Sequence, residues 1–305
     1  MEPLIENVAS SKQGCHVAGK CCAIFIYADD VLLIAPTRRA MQNLLVICEN
    51  FAQDFYLRYN LDKCKVILFL TSNRLVQPFI LNNVPLKFTT NEKHLGHVLS
   101  NNHDLIDFAK VVSDLKCKAN VLFREFSFLD HSVKSKLFNT NCTSLYGIPL
   151  LDLSSHQFEH VCTAWRVSIK CVLQLNMRTR SNLLPHLVKS PSAEKIIHSR
   201  FMSFFLSGLR HSNEFISTIF NHTLNSHYSY FRRNLSYIFY HYGLNWNTLS
   251  NMSDRDVKSY IRNYNCNVDW RVNIIKELMM IRDHELFGIL EPQEVTFMLN
   301  TVCTA

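Results

Sequence analysis

The first hundred residues alternate short apolar runs with turn-forming residues, which is typical of β-hairpins. Within residues 14–36, the pattern predicts one strand from Cys21 to Tyr27 and a return strand over 31–35. Asp29 and Asp30 form the predicted turn between the strands, and Pro36 ends the hairpin.

The period then changes from two to about 3.6, which predicts a helix over residues 37–55 with Thr37 as its N-cap. A second pair of strands is predicted at 56–59 and 65–70, followed by shorter strands near 79–81 and 94–99. The order strand-strand, helix, strand-strand predicts a compact α+β unit over residues 1–103.

Beyond that point, apolar residues recur in steps of three and four, which indicates amphipathic helices. Four strong helices are predicted at 104–127, 131–146, 157–175 and 191–209, and four weaker ones at 213–225, 229–242, 254–264 and 268–290. The 191–209 helix is expected to start at Ser190-Pro191, a cap followed by proline at the first helical position. The predicted fold class is therefore α+β, with a helical region over 104–190 and a helical C-terminal region over 191–305.

The composition describes a globular protein, with 48% hydrophobic and 19% charged residues and a net charge of +7. Eleven cysteines without regular spacing argue against a disulfide framework. No signal peptide is expected, because the N-terminus contains Glu2 and Glu6 and lacks a basic region followed by an apolar stretch. No membrane span is expected, because Asp29 and Asp30 interrupt the best candidate run. The expected location is intracellular, in the cytoplasm or the nucleus, rather than secreted.

The most distinctive sequence is Tyr27-Ala28-Asp29-Asp30, which interrupts that apolar run. A buried charge must be paired or must coordinate a metal, so two adjacent carboxylates here suggest a cation site. Mg²⁺ binds carboxylate oxygens, and phosphoryl-transfer sites use such ions, so the predicted chemistry is nucleotidyl transfer. The alternative is a solvated turn between two core strands.

Several segments in the same order share a resemblance with one family. They are Gly14–Lys20, Phe25–Pro36, Leu44–Ala52, Asn60–Val66 and His94–Leu99, with Lys134–Phe138 and Leu145–Gly147 in the helical part. Over roughly residues 14–225, the chain resembles the reverse transcriptases of non-LTR retrotransposons, which are RNA-directed DNA polymerases. The resemblance implies the end of a polymerase palm, a helical thumb and a helical tail.

The family's functional residues carry over to individual positions. Asp29 and Asp30 match the metal-binding aspartates, which hold Mg²⁺ or Mn²⁺. Lys65 or Lys63 matches the lysine that protonates the departing pyrophosphate or steadies the incoming triphosphate. The resemblance further implies a nucleic-acid contact at the primer-holding turn His94-Leu95-Gly96, with an RNA template and a DNA primer as partners. Tyr27, Lys116 and Lys118 are further candidates for contacts with nucleic acid.

The chain also departs from the family's pattern. The family has another metal-binding aspartate on an earlier strand and a nucleotide-contacting loop, whereas only Glu2 and Glu6 precede Asp29 as carboxylates. A two-metal site needs carboxylates from more than one strand. We therefore expect an N-terminally truncated polymerase that is inactive alone; the alternative is a decayed or repurposed non-catalytic module that binds nucleic acid or protein.

Two further groups of residues leave alternatives open. Basic residues on the predicted helices either follow a template–primer backbone or form a solvated face: Lys110, Lys116, Lys118, Arg124, Lys134 and Lys136. Cys15, His16, Cys21 and Cys22 miss the usual spacing of zinc ligands, so no structural zinc is expected.

Overall fold

The structure is a computed structural model that describes residues 1–69, 77–101, 108–179, 181, 184–188, 190–226 and 229–264. It is a mixed α+β protein with two-stranded sheets, which confirms the predicted class. The elements in chain order are α1 (Glu2–Ser11), β1 (His16–Val17), β2 (Lys20–Cys21), β3 (Ile24–Tyr27), β4 (Asp30–Leu33), α2 (Arg38–Asp54), β5 (Lys65–Ile67), β6 (Ile80–Leu81), β7 (Val84–Pro85), β8 (Lys87–Thr89), β9 (Asn91–His94), β10 (His97–Ser100), α3 (Phe108–Glu125), α4 (His131–Asn141), α5 (His156–Val172), α6 (Leu184–Leu187), α7 (Ala193–Leu209), α8 (Glu214–Asn225), α9 (Tyr230–Tyr242), α10 (Trp246–Ser250) and α11 (Asp254–Asn263).

The chain divides into two compact units. The first unit comprises Met1–Ile106 together with His211–Asn225, so it includes α8. The second unit comprises Asp107–Arg210 together with Ser226–Ala305. Each unit is described by itself below.

The core of the first unit lies around α2, the predicted helix. Thr37 is its N-cap, as predicted, and its hydroxyl accepts a hydrogen bond from the backbone N–H of Ala40. One side of α2 packs against Leu4 and Val8 of α1, a helix that the sequence did not indicate. The buried residues of α2 are Ala40, Leu44, Leu45, Cys48, Phe51 and Ala52.

The predicted strand at 56–59 is wrong, because these residues end α2 instead. Tyr56 takes a positive φ of 54°, and the N–H of Leu57 donates to the carbonyl of Ala52 at 2.8 Å. This 6→1 bond is the Schellman arrangement that satisfies the last carbonyls of a helix. β5 therefore pairs with β8, in parallel, rather than with 56–59, and it is shorter than the predicted strand.

The predicted hairpin over residues 14–36 is two consecutive hairpins, β1–β2 and β3–β4. Its turn is also shifted by one residue, since Asp30 is the first residue of β4 and pairs with Tyr27. The loop is therefore Ala28-Asp29, a two-residue connection of the kind commonest in hairpins. Ala28 takes a φ of 53° to close it.

In the second unit, α3 and α4 pack against α5, and α7 packs against both α5 and α11. The largest buried side chain is Trp165, which meets Phe138 edge-on with ring centroids 6.1 Å apart. Phe201 and Phe205 are also fully buried, as expected for core residues, whereas Phe204 is exposed.

Two helix predictions in this unit need correction. α7 is capped by Ser192, whose hydroxyl accepts from the N–H of Lys195, so Ser190-Pro191 precedes the helix. In α4 the predicted apolar residue Val133 is exposed, whereas Lys134 is only 4% exposed. The reason is that Phe138 packs on Trp165, and residues three and four positions earlier share its face.

A buried side-chain amide fastens α9 to the segment that precedes α5. Asn234 is 1% exposed; its Oδ1 accepts from the N–H of Leu153, and its Nδ2 donates to the carbonyl of Leu151, both at 2.7 Å. The predicted helices at 213–225, 229–242 and 254–264 are confirmed as α8, α9 and α11. The predicted helix at 268–290 lies outside the described residues, and no described helix has the length and apolarity to cross a bilayer.

Candidate metal centre

The β3–β4 hairpin has two different faces. The pairs Ile24–Leu33 and Ile26–Val31 alternate with Phe25–Leu32 and Tyr27–Asp30 along the ladder. Ile24, Ile26 and Leu33 pack on the core beside α2, which defines the inner face. We call the opposite side the outer face; it carries Phe25, Tyr27, Asp30 and Leu32.

Asp29 and Asp30 lie next to each other at the tip of this hairpin. Asp29 is in the loop, and Asp30 is on the outer face opposite Tyr27, whose side chain is 68% exposed. Both aspartates are exposed, as the alternative of a solvated turn predicts, so the argument from the cost of buried charge does not apply to them. Water therefore hydrates both carboxylates, and a cation can approach each of them from the solvent.

The chain preceding the hairpin fixes its position through a close backbone approach. The N–H of Cys15 donates to the carbonyl of Ile34 at 3.1 Å, and the N–H of Ile34 donates to the carbonyl of Ala23 at 2.8 Å. A Cβ on Gly14 would lie 1.9 Å from the Cβ of Ala23. Glycine is therefore required at position 14 for the chain to pass this close to the hairpin.

The donor set at the hairpin tip fits one divalent cation. Two adjacent carboxylates supply the hard oxygen ligands that Mg²⁺ and Mn²⁺ prefer. Within the described residues, no third histidine, cysteine or acidic residue lies close enough to Asp29 and Asp30 to complete a set of three. A pair of ions held for in-line displacement needs more bridging oxygens than these two side chains offer.

The two lysines predicted for phosphate chemistry lie at the start of β5. Lys63 is exposed in the turn, and Lys65 is the first residue of the strand, where its ammonium group donates to the carbonyl of Asp62 at 2.5 Å. Among ion pairs of the described residues, none joins either lysine to Asp29 or Asp30. The structure thus places both lysines in the unit of the carboxylate pair without direct contact.

The predicted primer-holding turn is a second tight hairpin of the first unit. β9 and β10 pair antiparallel, with His94 opposite His97 and Leu95-Gly96 as the two-residue loop. Leu95 and Gly96 have φ values of 47° and 84°. Positive φ at both loop positions is the type I′ geometry that matches the twist of the strands.

The remaining predicted nucleic-acid residues lie in the second unit, on α3. Lys116 and Lys118 are both exposed, and Lys118 lines a shallow notch with Asp114 and Tyr146. Lys134 is buried, so neither of the two alternatives, a contact with a phosphate backbone or a solvated face, holds for it.

Sequence reasoning missed a polar cluster between α5 and α7. Glu159, Cys162 and Glu194 bring three donor atoms within 4.8 Å of one another. Arg166 already binds both carboxylates, at 2.8 Å from Glu159 and 3.6 Å from Glu194. Burial, and then the two carboxylates, raise the pKa of the Cys162 thiol to about 12, so the cluster is an ion-paired group with a protonated thiol.

Comparison with protein-family models, with curated proteins and with solved structures finds no match to this chain. The function must therefore be argued from the residues and their geometry.

Proposed function

We propose that this chain is the late palm and thumb of a reverse transcriptase of the non-LTR retrotransposon type. The reaction of such an enzyme is nucleotidyl transfer, the RNA-templated addition of deoxynucleotides to a primer 3′-hydroxyl. The observation that carries the proposal is the β3–β4 hairpin, which presents Asp29 and Asp30 side by side and exposed at its tip.

The neighbouring elements of the first unit support the same function. A second tight hairpin carries His94-Leu95-Gly96, the segment that resembles a primer-holding turn. Lys63 and Lys65 provide two ammonium groups near the start of β5, and these positive charges could bind the phosphates of a triphosphate.

Each residue then has a defined task. Asp29 and Asp30 would bind one Mg²⁺ or Mn²⁺, which neutralises charge on phosphate oxygens when it is bound. The exposed ring of Tyr27, directly opposite Asp30, offers a surface on which a primer-terminal base can stack. Lys63 and Lys65 would orient phosphate groups.

The donor count sets the limit of what the chain does by itself. Two carboxylates hold one cation, whereas the transfer step is catalysed by two ions about 3.5–4 Å apart. With the donors that the described residues supply at the hairpin tip, the chain should therefore bind a primer–template in a cation-dependent manner without extending the primer.

The alternative is a helical module that binds nucleic acid or protein without a metal. Its support is the absence, among the described residues, of a third carboxylate near Asp29 and Asp30. The two functions differ in one property, because a metal-independent module should bind nucleic acid equally well without divalent cations.

The test is a binding and extension assay with an RNA template and a DNA primer. We expect Mg²⁺ or Mn²⁺ to strengthen binding about tenfold over a chelator, which equals about 1.4 kcal/mol. The Asp29→Asn/Asp30→Asn variant should lose that gain, whereas Asp62→Asn, which alters another exposed turn carboxylate of the same unit, should keep it. Binding that is unaffected by chelation would favour the metal-independent module. Template-directed extension by the chain alone would refute the expectation that a single bound cation does not support extension.

A further inference from the structure

The helix α8 is distant in sequence from β3 and β4, but it lies against the outer face of the β3–β4 hairpin. It belongs to the first unit, although α3–α7 separate it in sequence from β3 and β4. The ring of Phe215 lies 6.2 Å from the ring of Phe25, centroid to centroid. Phe25 shares the outer face with Tyr27 and Asp30, so α8 lies on the face of the strands that carries the candidate cation ligand.

A second contact removes a positive charge from the same region. The ammonium group of Lys20, on β2, lies 3.0 Å from the carboxylate of Glu214 in the first turn of α8. Glu214 is followed directly by Phe215, so Lys20 and Phe25 both lie at the N-terminal end of α8, where the lysine could bind a phosphate once released. In this structure, Glu214 neutralises that lysine and adds a negative charge that repels a phosphate backbone.

The attachment of α8 is weak. None of its twelve residues is buried, even though its sequence is amphipathic. The Lys20–Glu214 pair is exposed, with 39% and 79% of the two side chains accessible, and exposed pairs contribute little to stability. A helix without a fully buried residue, whose ion pair to β2 is exposed, can be displaced without unfolding the core beside α2.

Without α8, the outer face would have the composition of a nucleic-acid site. It would offer the rings of Phe25 and Tyr27, and Lys20 of β2 would be released from Glu214. Aromatic rings that stack on bases, combined with cations that follow the backbone, are what single-stranded nucleic acid binds.

We propose that α8 is a displaceable cover that competes with a nucleic-acid strand for Phe25 and Lys20. This inference rests on the proposed function, because it assumes that the strand reaches the hairpin tip. The uncovered form binds the strand, and the covered form is the resting state.

The experiment uses the full chain and a fluorescent 12-nucleotide DNA strand, with affinity measured by anisotropy over a range of salt concentrations. The Glu214→Gln/Phe215→Ala variant should bind about tenfold more tightly if nine-tenths of the wild-type molecules are covered. Its slope of log K against log[salt] should become steeper by about 0.7, the value for one additional contact with a single-strand phosphate. Adding Lys20→Ala to this variant should remove the steeper slope.

Deuterium exchange on the wild-type protein provides a measurement that needs no variant. Saturating strand should increase exchange of the amides in 214–225. Unchanged affinity in the Glu214→Gln/Phe215→Ala variant would overturn the proposed cover but not the proposed function. The same holds if the strand leaves exchange in α8 unchanged while its binding depends on Asp29 and Asp30. Strand binding that is insensitive to Asp29→Asn/Asp30→Asn would overturn the proposed function, and the cover with it.

Discussion

Replacing both Asp29 and Asp30 by asparagine should abolish iron-directed cleavage of the chain at the β3–β4 hairpin. Fe²⁺ substitutes for Mg²⁺ at oxygen sites and, with ascorbate and peroxide, cuts the backbone beside it. The wild-type chain should be cut within residues 27–31. Asparagine keeps the shape of each side chain and removes its charge, and hard divalent cations take their oxygen ligands mainly from carboxylates, so the double variant should lose the site.

The fragments are identified by mass spectrometry, and Mg²⁺ at millimolar concentration should suppress the cuts by competition. Asp62→Asn is the matched control, since Asp62 is an exposed aspartate in another turn of the first unit. Equal cleavage of the double variant and the wild type would show that these two side chains do not hold the ion. Loss of cleavage in the Asp62→Asn variant would also show that Asp29 and Asp30 are not what holds the ion.

The second large effect concerns the stability of the second unit. Asn234→Ala leaves the N–H of Leu153 and the carbonyl of Leu151 buried without their partner. Each of the two unsatisfied buried groups costs about 1–3 kcal/mol, so we expect the free energy of unfolding to fall by about 2–6 kcal/mol. Urea unfolding followed by tryptophan fluorescence measures this, because the buried Trp165 lies in the same unit.

Two controls separate the hydrogen bonds from general packing. Asn234→Leu fills the space but makes neither bond, so it should be destabilised nearly as much as the alanine variant. Asn247→Ala, at an exposed position in α10, should change the free energy of unfolding by less than about 0.5 kcal/mol. A leucine variant as stable as the wild type would contradict the role given to the amide.

Local pattern was sufficient where a segment's own residues determine its structure. The period of α2 and the cap at Thr37 follow from neighbouring residues, whereas the strand that the pattern predicts at 94–99 is wrong, because the turn Leu95-Gly96 divides it into β9 and β10. The pattern failed where a contact with a distant segment of the chain determines which residues are buried. Lys134 is buried because Phe138 packs on Trp165 of another helix, which the sequence of α4 does not reveal.

The same distinction applies to the candidate site, where some features follow from the local sequence and others depend on distant segments. The adjacency of Asp29 and Asp30 is a property of the sequence, but their exposure depends on a register that pairs Tyr27 with Asp30. The ion-paired cluster of Glu159, Cys162 and Glu194 was missed because Glu194 comes from a different helix. The contact of Phe215 with Phe25 likewise joins distant segments, and no periodicity predicts it.

The most direct test of the polymerase assignment is to locate the primer end on the chain. An iron chelate attached to the 3′-terminal nucleotide of a DNA primer, annealed to an RNA template, cuts the protein near that terminus without needing the protein's own ligands. We predict cuts within residues 27–31 and 94–97, at the tips of the β3–β4 and β9–β10 hairpins of the first unit. Cuts confined to the second unit, or a pattern identical to that of free iron chelate, would contradict the assignment.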